Sequence, residues 1–564
     1  MLERYGELLV DAAPRIAGLF VVGALLAVVG RRRVIAPLMV LLGVVAGVVL
    51  AIERASVCDD AFVSFRYARN LLEGHGLVWN IGERVEGYTN FLWVMLTAAV
   101  SGVIGLELPL VAVALCLISF VAVILLVWRH SRSGVAALLF ALSATALDYA
   151  TTGMETMFGA ALVLGGALLL CDKERSVAWG GALFALAVLT RPDHLLFWGA
   201  GGLVVLLGGQ RRPRDLAVYA ATLVPVLVHA AWRFGYYGEL LPNTFHAKSA
   251  STAYFSQGGI YTLAFLLGAH LWVIIPLALS GLRRSARPFA VFAGASLPIW
   301  HAYVVWVGGD FMFGRFLLVL LPIWLVLAAK GAKGPLSNGL LLATLGGVSI
   351  IGPEVHRWHI TDETRVYPVT QWHPQLVIDH HNWRTGVRLG ELFDEDYRPV
   401  VATSGIGMVG YYSRLEVIDL LGLTDARIAR RPVEERGMVG HEKRPRAGYV
   451  LRKRGAVIGR WQGLFPQPRW RPVTRLDMGL ELDEQWRAFC YEPELVAYVE
   501  AHPEMSLRDF TEIIDRWLTR GPWRPAPITA SSDVAFFDAY YFACNDDPER
   551  KEAVERRLRE RTGQ

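Results

Sequence analysis

The sequence predicts a mainly α-helical protein: a polytopic membrane helical bundle followed by a soluble C-terminal α/β domain. The chain has 564 residues, of which 54% are hydrophobic and only 19% charged, with a mean hydropathy of +0.36. This composition excludes both a disordered chain and an ordinary soluble enzyme. Long apolar runs follow one another up to about residue 352, and charged residues, Trp and Pro dominate from Glu354 onward. We therefore predict a membrane domain at 1–352 and a soluble domain at 353–564.

About twelve apolar segments of the first domain are candidate membrane spans, which need about 20 residues, or somewhat fewer in a packed bundle. Residues 89–105 are also apolar, but Asn90, Trp93, Thr97 and Ser101 recur there at helical spacing. This pattern favours a helix in the membrane interface, so that residues 53–107 form the first external loop. The candidate spans are 16–30, 34–52, 108–128, 135–150, 155–170, 177–190, 194–208, 215–234, 259–281, 288–306, 315–329 and 336–352.

The basic connections between these segments indicate the orientation of the chain. They all fall on one side, which the excess of Lys and Arg in cytoplasmic loops identifies as the cytoplasm. The other side, outside the membrane, then holds the polar motifs and the whole second domain. The basic residues are Arg31, Arg32, Arg33, Arg129, Arg132, Lys173, Arg175, Arg211, Arg212, Arg214, Arg283, Arg284, Arg287, Lys330 and Lys333.

Charge and cysteine content argue against two other kinds of function. Since much of the Lys and Arg has this topological meaning, the net charge of +5 does not predict a nucleic-acid partner. The five cysteines lack metal-ligand spacing such as CxxC, so we do not expect a zinc site. Cys490 and Cys544 could form a disulfide if the second domain lies outside the cytosol.

Asp59 and Asp60 are the strongest chemical signal in the sequence. Two carboxylates directly after a hydrophobic segment cost free energy at the edge of a bilayer unless a site uses them. One of them can act as a general base, and the other can orient it or hold a divalent cation such as Mg²⁺ or Mn²⁺. Nothing in the sequence requires such a cation. The alternative is that one aspartate caps the helix after the second span.

Cationic side chains at the outer level are candidates for binding an anion such as phosphate. Arg66 and Arg69 lie about one helical turn apart and can face an anion together, although a solvated helix face would look the same. Lys248 follows Pro242 in an outer loop, where a lysine extending toward the membrane interface is the alternative. Arg315 follows a glycine-rich turn at the same level.

A second set of polar residues suits the binding of a sugar. Glu86, Tyr88 and Asn90 combine a carboxylate, a phenol and an amide within five residues. Carboxylates near membrane segments normally face a cavity or a partner. An ion pair between Arg191 and Asp193 is the alternative for those two. The remaining candidates are Glu155, Arg191, Asp193, Asn243, His246 and Asp310.

Several of these motifs resemble one family of enzymes. Residues 59–70, 74–80 and 86–93 closely resemble segments of the mycobacterial terminal β-(1→2) arabinofuranosyltransferase family. Residues 190–193, 241–244, 308–311 and 418–425 look like its later motifs, so the resemblance extends over most of the chain. It implies a glycosyltransferase of the GT-C fold with an acidic first external loop and an external soluble domain that helps to hold a glycan.

The resemblance also implies partners and roles. The donor is expected to be a polyprenyl-phosphate sugar, decaprenylphosphoryl arabinose, and the acceptor a cell-envelope glycan at the outer face of the bacterial plasma membrane. The catalytic base falls on Asp59 or Asp60, with Asp59 favoured. In the mechanism that we expect, the donor phosphate lies near Lys248 and one or more of Arg66, Arg69 and Arg315. Direct displacement would invert the anomeric centre, whereas a β product from a β donor requires retention, so the stereochemistry stays open.

Two alternatives remain at this point. The same fold could transfer mannose or aminoarabinose to lipid A, protein or polysaccharide. A transporter of polyprenyl lipid or glycan is a different class, and it predicts charged groups spread through the depth of the bundle. Here they gather at one level, which favours a transferase.

Overall fold

Two compact units make up the chain. The first contains Met1–Glu73, Tyr88–Leu241 and Ala250–Asp379, and the second contains Gly74–Gly87, Pro242–Ser249 and His380–Gln564. The second unit thus takes two short pieces of chain that precede the boundary predicted at residue 352. The computed structural model describes residues 2–29, 35–171, 177–207, 213–249, 252–344, 359–361, 366–371, 377–378, 380–393, 397–434, 436–445, 449–450, 453, 455–458, 487–488, 497–498, 501, 510–520, 534, 537–542 and 546–562.

Helices build most of the first unit, because its Leu-, Ala- and Val-rich runs can satisfy their backbone hydrogen bonds in lipid only within a helix. Short 3-10 turns at Pro192–His194 and Leu318–Leu320 come before the tenth and seventeenth helices. The short helix at Asn243–Ala247 belongs to the second unit. The helices are α1 (Leu2–Val29), α2 (Ile35–Glu53), α3 (Asp59–Leu72), α4 (Phe91–Ile104), α5 (Leu108–Ser131), α6 (Gly134–Leu142), α7 (Ala144–Tyr149), α8 (Thr156–Cys171), α9 (Val177–Thr190), α10 (Leu195–Leu207), α11 (Pro213–Ala221), α12 (Val224–Tyr237), α13 (Asn243–Ala247), α14 (Phe255–Gly268), α15 (Leu271–Arg284), α16 (Arg287–Val307), α17 (Leu321–Gly331) and α18 (Pro335–Ala343).

The length and composition of these helices make the chain a multi-pass membrane protein of the mainly α class, as predicted. Within the described residues, five segments are long and apolar enough to cross a membrane, and a bent pair of helices raises the number to six. Shorter apolar helices of 10–17 residues accompany them. The total of about twelve spans stays a prediction. The five segments are Leu9–Leu26, Ile35–Glu53, Leu108–Ser131, Pro213–Tyr237 and Arg287–Val307.

Three segments predicted as single spans are divided between two helices instead, and one of them is 215–234, which is split between α11 and α12 at residues 222–223. Residues 135–150 form α6 and α7, because Ser143 between them is extended at ψ 126°. Residues 259–281 form α14 and α15, which meet at an angle of 84°. The turn is made at His270, whose φ of 53° lies in the left-handed region that ends a regular helix.

The stretch 89–105 is helical, as its residue spacing predicts. Trp93, Thr97 and Ser101 lie on the buried face of α4, so the spaced polar residues face protein. The 14 residues of this helix are fewer than the roughly 20 that a perpendicular span requires.

A small antiparallel sheet in the first unit lies beside the start of α3. It pairs β1 (Val369–Gln371) with β2 (Val377–Ile378). The backbone N–H of Val369 donates to the carbonyl of Ala55 at 2.8 Å, four residues before Asp59. This contact attaches the entrance of α3 to a later part of the first unit.

The second unit contains a four-stranded mixed sheet in the order β4-β3-β5-β6, which confirms the predicted α/β character of the tail. Strand β3 (Val400–Thr403) is parallel to β4 (Val417–Asp419) and to β5 (Gly455–Ile458), whereas β6 (Arg487–Ala488) runs antiparallel to β5. The predicted strand-like runs 400–403 and 415–418 correspond to β3 and, shifted by two residues at its start, β4.

Helices of the second unit pack against this sheet and bury a hydrophobic core with it. The core includes Ala402 and Ile418 from the strands and Trp517, Phe537 and Val554 from later segments. The last helix agrees with the predicted helical stretch 546–561. The described helices are α19 (His381–Leu392), α20 (Ile406–Ser413), α21 (Ala426–Ala429), α22 (Phe510–Arg520) and α23 (Pro548–Thr562), with a π-helical turn at Phe537–Phe542.

Some predicted features lie outside the described residues. They are the cysteine pair Cys490 and Cys544 and the basic loop residues Arg31, Arg32, Arg33, Lys173, Arg175, Arg211 and Arg212.

Candidate active site

The two adjacent aspartates open helix α3. Cys58 is the N-cap and is extended at ψ 155°, so Asp59 and Asp60 lie in the first turn rather than at the cap. Backbone N–H groups at a helix start favour negative charge in that turn. Asp59 is 8% exposed, whereas the side chain of Asp60 is 33% exposed. Of the two carboxylates, Asp60 is therefore the one that a substrate can reach more easily.

Arg315 joins three carboxylates that are distant from one another in the sequence. Its guanidinium lies 3.3 Å from Asp310, 3.4 Å from Glu155 and 3.5 Å from Asp60. Asp310 and Glu155 are each 1% exposed and Arg315 is 10% exposed. Buried carboxylates need such a partner, because an unpaired charge away from water is costly.

Arg191 supplies a second guanidinium to the same group of acids. It makes two hydrogen bonds with Asp193, at 3.1 and 2.6 Å, and one with Glu155 at 3.2 Å. Its guanidinium carbon also lies 4.6 Å from the ring centre of Phe316, a cation–π contact. The sequence had left pairing between Arg191 and Asp193 open, and the structure shows that pair. The six residues Asp60, Glu155, Arg191, Asp193, Asp310 and Arg315 are called the ion-pair cluster below.

Glu155 is the centre of this cluster. Besides the two guanidiniums, it accepts a hydrogen bond from the Asn90 amide at 2.9 Å, and Asn90 in turn exchanges hydrogen bonds with Ser64 of α3. The guanidiniums of Arg191 and Arg315, at 3.2 and 3.4 Å, supply the opposite charge that a buried carboxylate requires.

The backbone on both sides of Arg315 is held by aromatic side chains. Tyr261 donates to the carbonyl of Met312 at 3.0 Å, and Trp300 donates to the carbonyl of Phe316 at 2.6 Å. Gly314 has a φ of 71°, a conformation that glycine adopts without strain. These contacts fix the direction in which the arginine side chain leaves the main chain.

Three more predicted site residues belong to the first unit. Arg66 and Arg69 lie on α3, and Arg66 is buried at 4% exposure. Tyr88 is also buried, and it stacks edge-on against Tyr67 of α3 with ring centres 4.8 Å apart. The hydroxyl of Tyr88 shares a hydrogen bond of 3.1 Å with the hydroxyl of Tyr237 at the end of α12.

The other predicted site residues belong to the second unit. Glu86 and Asn243 are linked by a backbone hydrogen bond of 3.0 Å from Asn243 N–H to the Glu86 carbonyl. His246 lies on α13, and Lys248 follows that helix directly. The Lys248 side chain passes close to Gly440, because a Cβ there would lie 3.5 Å from the Lys248 Cε.

Several contributors to the cluster were missed in the sequence. Ser64 lies four residues after Asp60, so its helical spacing from that aspartate was an available signal. Tyr303 donates to Asp193 at 3.5 Å, and Phe316 contacts Arg191. Tyr303 lies on an apolar helix, where a tyrosine is as easily explained by packing, so the sequence offered no comparable signal for it.

The ion-pair cluster carries an excess of negative charge. Its four carboxylates and two guanidiniums leave a formal charge of −2. Among the residues that the structure describes, no group of three or more His, Cys, Asp or Glu side chains is arranged to hold a metal ion. Cationic side chains stand between the acids instead. The arrangement offers one reachable carboxylate, Asp60, oriented by a buried arginine.

Two known proteins that share one name are similar to this chain in sequence. The terminal β-(1→2)-arabinofuranosyltransferase of Corynebacterium glutamicum is 27% identical over 506 residues, which cover 69% of this chain and 73% of that protein. The terminal β-(1→2)-arabinofuranosyltransferase of Mycobacterium tuberculosis is 32% identical over 335 residues, covering 50% of this chain and 52% of that protein. The match thus spans about half the length of the mycobacterial relative.

A family model and a solved structure are similar to parts of the chain. The family described as "Domain of unknown function (DUF8728)" matches residues 373–499. ArnT from Cupriavidus metallidurans bound to undecaprenyl phosphate has a TM-score of 0.46 and 13% identity, covering 67% of this chain and 85% of that one. A structural likeness of this size supports no assignment. The two sequence relatives do confirm the resemblance seen in the motifs, and the chain is a membrane glycosyltransferase similar to the terminal β-(1→2)-arabinofuranosyltransferases.

Proposed function

We propose that this glycosyltransferase moves arabinofuranose from a polyprenyl-phosphate donor, decaprenylphosphoryl arabinose, to a glycan of the bacterial cell envelope. The names of the two sequence relatives support the sugar, and their similarity to this chain supports the reaction class. The observation that carries the chemical proposal is Asp60, a partly exposed carboxylate beside the guanidinium of Arg315 in an otherwise buried cluster.

In the proposed reaction, Asp60 is the general base. The acceptor hydroxyl attacks the anomeric carbon of the donor sugar, and its proton passes to the Asp60 carboxylate. A glycosidic C–O bond forms as the bond between the anomeric carbon and the phosphate oxygen breaks. Polyprenyl phosphate leaves with that electron pair, and cationic side chains stabilise its negative charge. Arg66, Arg69, Arg315 and Lys248 stay the proposed phosphate ligands.

Asp60 is preferred to Asp59 on grounds of access. A base must come within hydrogen-bonding distance of the hydroxyl that it deprotonates. The Asp60 side chain is 33% exposed, whereas Asp59 is 8% exposed. Asp59 is then proposed to hold the first turn of α3 in place, which reverses the preference drawn from the resemblance.

We also propose that the reaction takes place at the outer face of the bacterial plasma membrane. The support is the distribution of basic loops, which the sequence places on the opposite side of the bundle from the acidic motifs. Single cysteines placed at Lys248 and at Arg284 would then react with a membrane-impermeant thiol reagent from opposite sides. Labelling of both from one side contradicts this orientation.

The experiment on the reaction compares Asp60→Asn and Asp59→Asn in purified protein with a radiolabelled polyprenyl-phosphate arabinose donor. Loss of a general base lowers the transfer rate by about 10²–10⁴-fold, which we expect for Asp60→Asn. Asp148→Asn is the matched control, because Asp148 pairs with the exposed Arg54 at 2.7 Å instead of with the cluster. Transfer by Asp60→Asn at the wild-type rate would refute the assignment of the base. Faster transfer from a mannose or aminoarabinose donor than from the arabinose donor would refute the proposed sugar.

A further inference from the structure

We propose that Asn80 and Asn243 are positioning residues, which fasten two short segments carrying predicted site residues to one loop of the second unit. It consists of residues 417–425, which are strand β4 and the turn that follows it, and is called the Asp419 loop. The segments are residues 74–87, which include Glu86, and residues 242–249, which include His246 and Lys248. The proposal rests on the proposed function, because it takes Lys248 as a ligand of the donor phosphate.

Asn80 pairs with the main chain as a neighbouring strand would. Its amide donates to the Val417 carbonyl at 3.0 Å, and its side-chain carbonyl accepts from the Val417 N–H at 3.0 Å. Strand β4, which begins at Val417, is an edge strand of the sheet. An edge strand presents unpaired N–H and C=O groups, and the amide side chain satisfies one of each. Asn80 is 4% exposed, so these bonds are shielded from water.

Asn243 holds the other end of the same loop. Its amide nitrogen donates to the carbonyls of Gly422 and Leu423, both at 2.8 Å. Its backbone N–H donates to the Glu86 carbonyl at 3.0 Å, which joins the two segments to each other. Asn243 is 6% exposed. Both hydrogens of the amide are thereby committed to main-chain acceptors.

The Asp419 loop has a defined shape of its own, so it can serve as an anchor. The two carboxyl oxygens of Asp419 accept from the N–H groups of Leu421 and Thr424, both at 2.8 Å. Gly422 has a φ of 82°, and a Cβ there would lie 2.6 Å from the Ala429 nitrogen. The carbonyls that Asn243 contacts are therefore held in one direction.

A further ion pair supports this assembly. Lys453 contacts Glu83 of the first segment at 2.8 Å and Asp425 of the loop at 3.6 Å. Asp425 also accepts a hydrogen bond from the Tyr449 hydroxyl at 2.6 Å. Each of the two segments is thus joined to the loop by the hydrogen bonds of a buried asparagine, and the first also by Lys453. The consequence for the reaction is that Asn243 sets where α13 begins, and Lys248 follows the end of that five-residue helix.

The test is the variant Asn243→Asp, measured with the same polyprenyl-phosphate arabinose donor. It keeps the shape of the side chain but places a carboxylate against two carbonyl oxygens. We expect KM for the donor to rise about tenfold, the change that follows from losing ordinary hydrogen bonds at a buried site, with kcat within twofold of wild type. A merely structural role would lower the amount of active enzyme and kcat instead of KM.

Asn338→Asp is the matched control. The Asn338 amide also donates to two carbonyls, those of Ala332 and Gly334, at 3.1 and 3.0 Å, but it lies on α18 of the first unit. We expect this variant to leave KM unchanged. If Asn243→Asp does not fold, Gly422→Ala is the second variant. It displaces the carbonyls that Asn243 contacts by altering the Asp419 loop instead of the asparagine, and it should raise KM for the donor in the same way.

An unchanged KM in both Asn243→Asp and Gly422→Ala overturns the positioning role, and so does a loss confined to kcat. These results leave the proposed reaction intact as long as Asp60→Asn abolishes transfer. If Asp60→Asn transfers at the wild-type rate while Asn243→Asp still raises KM, the proposed base fails and the positioning role stands.

Discussion

Replacing Arg315 by Gln should destabilise the protein strongly, because it leaves the buried Asp310 without a guanidinium neighbour and leaves Glu155 with Arg191 alone. The shortest of its ion pairs is with Asp310 at 3.3 Å. At an effective dielectric constant of about 20, two unit charges at that distance attract by about 5 kcal/mol. Part of this energy only offsets the desolvation of the ions, and removing one partner of a buried pair costs about 3–5 kcal/mol. We therefore expect a loss of about 3 kcal/mol in the free energy of unfolding.

A double-mutant cycle separates this effect from a general loss of packing. Asp310→Asn together with Arg315→Gln removes both charges, so the pair should be less destabilised than the sum of the single variants by about 2 kcal/mol. The assay is thermal unfolding of purified protein in detergent, followed by tryptophan fluorescence at one heating rate. The unit that contains Arg315 has more than 300 residues. At an unfolding entropy of about 2.1 cal/mol/K per residue, 3 kcal/mol then corresponds to a fall in Tm of about 4–5 °C.

Arg54→Gln is the control for this experiment. Arg54 pairs with Asp148 at 2.7 Å, but its side chain is 45% exposed, so we expect a change below about 1 kcal/mol. If Arg315→Gln unfolds within 1 °C of wild type, or if the cycle shows no coupling, then the ion pairs of Arg315 do not stabilise the cluster.

Two further predictions concern packing and pH. Helices α15 and α17 cross so closely at Gly281 that a Cβ would overlap the Leu327 carbonyl, so Gly281→Ala should lower stability by about 1–3 kcal/mol in thermal unfolding. A Cβ at Gly259 on α14 would have no atom within 4 Å, so Gly259→Ala should be neutral or stabilising. Equal changes in stability for Gly281→Ala and Gly259→Ala would contradict the close crossing. Burial raises the pKa of Asp419 to about 7, so its carboxyl group stays protonated in the folded state at pH values where it ionises in the unfolded chain. The contribution of Asp419 to the free energy of unfolding should therefore decrease by up to about 4 kcal/mol as pH rises from about 4 to 7, and it should level off above pH 7. The measurement is the difference in the free energy of unfolding between wild type and Asp419→Asn. An equal difference at pH 5 and pH 8 would exclude this pH dependence.

The helices of the membrane unit were largely predictable from the sequence. Residues 108–128 and 288–306 lie within α5 and α16, because a long apolar run in lipid has no alternative to helix. The breaks at Ser143 and His270 were not predictable. Hydropathy averaged over a window does not register one residue with a different backbone angle, and packing against neighbouring helices decides where such a residue is tolerated.

The ion pairs within the site also divide into those that the sequence could predict and those that it could not. Arg191 with Asp193 and Asp310 with Arg315 are close in sequence, so their proximity could be anticipated from spacing. Glu155 is 36 residues from Arg191 and 160 residues from Arg315, and nothing in the spacing connects them. The cluster exists because separate segments bring these charges together in the fold.

Asn243 shows the limit of assigning a role from residue type. The sequence marks it as a polar side chain in an outer loop, which suits sugar binding. The structure commits its amide to the carbonyls of Gly422 and Leu423, about 180 residues later in the chain.

The sequence by itself determined the membrane character, the α/β tail, the acidic pair at Asp59 and Asp60, and the chemistry that such groups can perform. These follow from transfer free energies and side-chain identities, which are local properties. Only the tertiary structure decided that Asp60 meets Arg315 and that Glu155 lies between two guanidiniums. Those contacts depend on how distant segments pack, and packing selects one arrangement of charges among many that the same composition allows.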